Sequence, residues 1–403
     1  VAQEELHGIA MDREERLAGV DFMRAVACLL VLLHHFVLRL DVGRVPGELR
    51  PALDTARFGN FGVAIFFVLS GFLLARPFWQ TLDRGATLPK LKIYALRRAA
   101  RILPGFWVAL TAAFLLSFTV FGYAVTPELV LRYATGFFLM SQWHWRTFFP
   151  VGSNGPLWSI PFEATCYVLL PICFLALHGL RLGRRRIVSR LAWIAFIAVL
   201  LIGHVLIVRT FQTDAVGRGW AYGLQGGAKE WMPRYNPIGF FAIFALGTLA
   251  AGMQTLLPTR RTFSFDIIAS LALGVAMTGL ITSTGGDWEG YGWLGIPYGF
   301  PIFPLAIATA LVTLPRSLLL GALDSTFFRY TATVSFGIYI WQDIVISLTK
   351  EFLPSSFGTG AQSAITGWLL SCVAVACLLY AVASLSYFLL ERPVLRWAHG
   401  FHS

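Results

Sequence analysis

The sequence predicts an all-α, polytopic transmembrane helix bundle of about ten spans, and three observations predict it. Of the 403 residues, 57% are hydrophobic and only 13% are charged, roughly half the charged share of a soluble domain. The mean hydropathy is +0.67. Ten apolar windows are long enough to cross a bilayer, at residues 20–39, 59–76, 102–122, 157–178, 191–209, 237–257, 266–283, 297–314, 331–349 and 364–389.

Before the first window, residues 1–19 are polar and acidic (Glu4, Glu5, Asp12, Glu14, Glu15) and run straight into apolar sequence. They read as a cytoplasmic leader, with no cleavable signal peptide, so the first helix is its own insertion signal. The chain opens on Val1 and reaches Met11 only later, and no function attaches to this stretch. Residues 20–397 read as one integral domain.

The first window carries Arg24 and His35. Eleven residues apart, they fall about 20° apart in azimuth and about 16 Å apart along one helix face. Ionisable side chains at that depth point to function. Imidazole suits the removal of a proton from a hydroxyl near neutral pH. His34 is turned about 100° away and is expected to pack elsewhere. Arg24 has a plainer alternative, snorkelling to the headgroups.

In the second window, Phe66-Phe-Val-Leu-Ser70-Gly71 sets two small residues side by side, which suits close helix packing or room for a thin ligand. Arg97, Arg98 and Arg101 precede the third. They are a positive anchor or, with Arg97 and Arg101 at helical spacing, a phosphate-binding face for a nucleotide-bearing cofactor. The apolar piece at 128–141 has Arg132 within it and is too short to span, so an interfacial or re-entrant helix is expected.

Glu163 follows the turn Gly152-Ser-Asn-Gly-Pro156. Counted from the end of its window it reaches the depth of His35, where a carboxylate would orient an imidazole. Its alternative is a protonated or arginine-paired structural acid. Asp343, in the ninth window, is a further intramembrane acid with no partner assigned. The long loops 123–155 and 210–236 are aromatic enough to line a substrate entrance or to form an interfacial belt.

The net charge of +11 reads as loops retained in the cytoplasm, not as a nucleic-acid footprint. With both termini inside, 20 Lys and Arg fall on the cytoplasmic side and 11 on the other. The five cysteines (Cys28, Cys166, Cys173, Cys372, Cys377) lie in apolar runs without metal-ligand spacing, so neither a disulfide nor a metal site is expected.

Taken together, these segments resemble the membrane-bound acyltransferase-3 family. Arg24 and His35 match its Arg-x10-His signature. Phe66-Phe-Val-Leu-Ser-Gly71 matches its second-span motif, and Arg97-Arg-Ala-Ala-Arg-Ile-Leu-Pro104 its basic pre-helix motif. Leu157-Trp-Ser-Ile-Pro-Phe-Glu163 resembles its Leu-Trp-Ser-x-x-x-Glu element, and Ser386-Tyr-Phe-Leu-Leu-Glu-Arg-Pro393 its closing motif. Two departures stand out. Gln342 replaces the histidine of Tyr-Leu-Trp-His, and Pro161 replaces a small polar residue and is expected to bend the helix near Glu163.

The resemblance implies an integral-membrane O-acyltransferase of the bacterial cytoplasmic membrane. Acyl-CoA, acetyl-CoA in the first instance, would dock from the cytosol on Arg97, Arg98 and Arg101, with its arm passing Ser70, Gly71 and Arg24. At His35, acting as base or transient acyl carrier, the group would pass to a hydroxyl of a glycan, a lipid-linked sugar or a small molecule. No appended esterase-like domain is expected, so the acceptor would be recognised by the spans and outer loops. A proton-coupled transporter using Arg24, His35, Glu163 and Asp343 is the competing reading, and no matching inverted halves support it.

Overall fold

The computed structural model describes residues 17, 19–40, 45–180, 185–211, 231–283, 290–323, 325–354, 356–358 and 364–401. Residues 1–16 of the leader and residues 212–230 of the second long loop lie outside them. All regular structure among the described residues is helical.

Nine helical runs among the described residues are long and apolar enough to span a membrane. They contain α1 (Val20–Val37), α3 (Gly62–Arg84), α4 (Leu91–Thr119), α6 (Ser159–Gly179) and α7 (Arg186–Thr210). After these come α8 (Pro237–Gln254), α9 (Phe263–Thr282), α11 (Thr326–Phe352) and α12 (Ala364–Ser386). The tenth expected span is the shorter α10 (Ile302–Thr313), extended by a 3-10 turn to Arg316. Three short helices complete the set: α2 (Arg50–Arg57), α5 (Pro127–Phe137) and α13 (Arg392–His399).

The centre of the bundle is α8, whose residues are nearly all buried, whereas α7, α9 and α12 turn large apolar side chains such as Ile202, Leu271 and Val373 outward. In water such faces would be unstable, and against lipid tails they are the expected surface. Helices α3 and α8 meet backbone to backbone. A Cβ on Gly71 would lie 2.1 Å from the Phe244 carbonyl oxygen, and one on Gly247 1.9 Å from that of Val68. Without a hydrophobic drive between helices in lipid, small residues that allow such close approach supply the attraction.

Leu17, Arg101 and Tyr387 line one cavity and Arg97 bonds the Phe401 carbonyl, so both described ends of the chain lie at one end of the bundle. We term this the lower end and the His35 end the upper. At the lower end Arg190, only 3% exposed, pairs with Asp83 through two bonds of 2.5 and 2.7 Å. The same guanidinium donates to the Gly252 carbonyl and lies 4.2 Å from the Trp79 ring centroid. This ties α3, α7 and α8 together. Asp83→Ala strands a buried cation, so a loss of about 3–5 kcal/mol is expected. It is read as a lowered apparent melting midpoint of the detergent-solubilised protein, and an unchanged midpoint would remove this pair from the stabilising set.

The piece at 128–141 is α5, eleven residues long and capped at its start by the Thr126 hydroxyl, which accepts from the Leu129 amide. Its buried Arg132, pushed down to about 10 by desolvation, donates to the Phe149 carbonyl at 2.7 Å. That bond holds the segment leading to α6 against the bundle. The bend expected at Pro161 has no cause here. Pro161 falls in the first turn of α6, where a missing N–H removes no bond of the α-helix.

Candidate active site

Helix α1 runs beside three cavities. At the lower end a cavity of about 330 Å³ is bordered by Asp21, Arg24, Arg76, Arg101 and Tyr387. Above it a narrow one of about 110 Å³ is bordered by Arg24, Ser70, Arg98, Arg101, Glu163 and Tyr167. These two share Arg24, Leu73 and Arg101 and make one lower chamber. An upper chamber of about 430 Å³ holds His34, His35, Arg39, Asn60 and Asp343, with Trp158, Trp231, Tyr235 and Tyr298 among its walls.

The lower chamber is cationic. Among the described residues Arg24 makes no hydrogen bond or salt bridge, and Arg98 and Arg101 line the chamber with it. Arg101 reaches a fully buried Glu391 at 3.5 Å, which also accepts from Ser386 at 3.4 Å. A π-helical turn, Tyr387–Glu391, brings that carboxylate into place between α12 and α13, as π turns often do at functional sites. The arginine pair facing the chamber is therefore Arg98 with Arg101. Arg97, expected on the same face, instead donates to Phe401 and lines none of the three cavities. Packing against the carboxy-terminal segment draws it away.

Of Ser70 and Gly71, Ser70 faces the chamber and Gly71 packs on α8, so only the first is placed to meet a ligand. Glu163 corrects the expected pairing with His35. It lines the lower chamber, where one of its oxygens accepts from Ser70 at 2.8 Å and from Tyr167 at 2.5 Å. The reason is the segment before α6. Residues Pro150–Asn154 and Pro156–Trp158 are buried inside the bundle and not spread over its surface. Gly155, Pro156 and Trp158 take the level of His35, and Glu163 lies about 7 Å below Trp158.

The acid at the level of His35 is Asp343. It accepts from Arg39 at 2.8 Å and from the Gly155 amide at 3.0 Å, and so fastens the buried turn to α11 at the upper chamber. His34 is buried, as a packing residue would be, but it does not face elsewhere. Both histidines line the upper chamber, their rings edge to face with centroids 5.1 Å apart. His34 donates through Nδ1 to the Arg57 carbonyl, whereas His35, half-buried, has no hydrogen-bond partner among the described residues. Gln342 is buried and donates to the Tyr339 carbonyl, with no contact to the chamber.

The aromatic wall is continuous. Trp231 stacks on Tyr235 at 5.2 Å, Tyr235 meets Trp158 at 5.5 Å, and Trp158 stacks on Phe148 at 5.2 Å. Flat apolar faces beside Arg39, Arg57 and Asn60 suit a ring-shaped polyol, which offers C–H faces for stacking and hydroxyls for hydrogen bonds.

The described residues thus form an apolar helix bundle with a cationic chamber under an imidazole-bearing one. The chain belongs to the acyltransferase family whose model, described as an acyltransferase domain, matches residues 17–384. It is similar to YrhL of Bacillus subtilis (strain 168), named as a candidate peptidoglycan O-acetyltransferase, with 26% identity over 96% of this chain and 56% of that protein. It is also similar to the O-acetyl transferase of Shigella phage Sf6, 25% identical over 77% of this chain and 92% of that one. With the peptidoglycan O-acetyltransferase OatA of Listeria monocytogenes serovar 1/2a, it shares 27% identity over 38% of its own length and 23% of OatA. The chain thus spans little more than half of YrhL and under a quarter of OatA. No solved structure matches it.

Proposed function

We propose that this protein transfers an acyl group, acetyl in the first instance, from acyl-CoA to a hydroxyl of a cell-envelope glycan. The observation that carries the reading is the stacking of the two chambers along α1, with Arg24 in the cationic one and His35 in the aromatic one. Phosphates of the donor are held at Arg98, Arg101 and Arg24, and the pantetheine arm extends upward past Ser70. An arm of that kind covers the separation of about 16 Å between Arg24 and His35.

In the upper chamber a sugar lies against Trp158, Trp231 and Tyr235 with one hydroxyl at His35. That oxygen attacks the thioester carbonyl, and the C–O bond forms as the C–S bond breaks. The hydroxyl proton passes to the imidazole and from there to the departing sulfur, giving the ester and free CoA. The peptidoglycan in the names of YrhL and OatA supports an O-acetylated glycan as the product, and the excess of Lys and Arg at the lower end supports placing that end in the cytoplasm.

The test is transfer by purified protein in proteoliposomes given carbonyl-labelled acetyl-CoA and soluble peptidoglycan or oligosaccharide fragments. Alkali-labile label on the glycan, formed one for one with free CoA, is the expected result. Glycan that crosses the membrane with no CoA released would replace this reading with transport.

A further inference from the structure

The lower and upper chambers meet at two residues that line both, Val63 and Tyr339. Tyr339 is 6% exposed, and its ring stands edge-on to Phe66, which lines the lower chamber, with centroids 5.9 Å apart. Its hydroxyl donates to the Pro156 carbonyl at 3.0 Å and is paired with the Ser159 hydroxyl at 2.6 Å. Ser159 borders the lower chamber and Pro156 the upper. The side chain is therefore pinned where, among the described residues, the two chambers border each other.

We propose that Tyr339 is a gate, closed in this structure, that the arriving thioester arm displaces. This rests on the transfer reading above and assigns a residue that coordinates its two halves. The geometry supplies the argument. The upper part of the lower chamber is narrow, about 110 Å³. Between it and the upper chamber of about 430 Å³ stand the Tyr339 ring and Val63. If the seal were absent, water from the upper chamber would reach the thioester whether or not an acceptor were bound, giving carboxylic acid and free CoA in place of ester and free CoA. A ring held by two hydrogen bonds is a seal that can open at the cost of those bonds alone. Helix backbone packed at the same place could not.

Two measurements test the gate. In the first, the ratio of free carboxylic acid to acyl ester formed from acyl-CoA is compared between wild type and Tyr339→Ala. It should rise by about tenfold, and Tyr339→Phe, which keeps the ring and loses both hydroxyl bonds, should fall between. The second is independent of catalysis. With the five native cysteines replaced, Ser70→Cys places a thiol in the lower chamber, and a small membrane-impermeant methanethiosulfonate is added from each side in turn. Labelling is expected from the lower side alone when Tyr339 is present and from both sides in Tyr339→Ala, or in Tyr339→Leu if the alanine variant does not fold. Equal labelling from both sides with Tyr339 intact, or an unchanged product ratio and an unchanged labelling pattern in the variant, overturns the gate. Failure of wild type to release CoA in the presence of acceptor overturns the transfer reading instead, while the labelling still reports on the partition.

Discussion

His35→Ala is expected to reduce acyl transfer by at least about 100-fold, the usual scale for removing a general base, with yield and melting midpoint close to wild type. The side chain is half-buried, lines the upper chamber and makes no hydrogen bond among the described residues, so its removal breaks no packing bond. His34→Ala should behave differently. It severs the bond to the Arg57 carbonyl that holds the turn between α2 and α3, and the midpoint should fall with the activity. The discriminating measurement is transfer rate and thermal midpoint on the same preparations. A His35→Ala enzyme that keeps a tenth or more of its activity would remove the imidazole from the chemistry and leave it a wall residue.

The nine spanning helices and the shorter α10 are legible because each is a continuous apolar stretch, and the bilayer requires such stretches to be helical. Even the short tenth, α10, stood out. What composition could not reveal was the depth of residues 150–158. Gly, Pro, Ser and Asn read the same in a surface loop as in a turn buried between helices. Counting Glu163 from the end of its apolar window therefore sets it too high, whereas the acid that shares the His35 chamber is Asp343 on α11. Asp343 is visible in the sequence as an intramembrane acid, and its partner is Arg39, at the end of the first window. Two signals were available: Arg39 follows His35 by four residues and so shares its face, and an acid within the spans needs a cation.

The basic motif before α4 shows a second limit. Residues three apart and four apart both share a helix face, so Arg97, Arg98 and Arg101 offer two pairings that spacing alone does not rank. The contact that decides comes from Phe401, some 300 residues later in the chain, which takes the Arg97 guanidinium. Gly71 and Ser70 separate in the same way. Neighbours in sequence, they point about 100° apart on α3, one to α8 and the other to the chamber.

Replacing Arg24 or Arg98 with alanine is expected to raise the apparent KM for acyl-CoA by about 10-fold or more, the worth of one charge-assisted bond to a phosphate or carbonyl oxygen. The KM for the acceptor should move little, because neither residue lines the upper chamber. Arg101 should differ in kind. Its alanine variant also leaves Glu391 buried without its cation, so a fall in stability accompanies the loss of donor binding, whereas Arg97→Ala, which removes only a bond to Phe401, should leave both nearly unchanged. Arg24→Lys should recover part of the affinity, since a single ammonium restores the charge without the planar fork. The measurement is a full initial-rate matrix over both substrates for each variant. Equal shifts in the two KM values, or Arg97 and Arg98 behaving alike, would mean that these arginines anchor the lower end of the bundle and do not receive the donor. Acyl-CoA would then have to reach His35 by a path other than the cationic chamber.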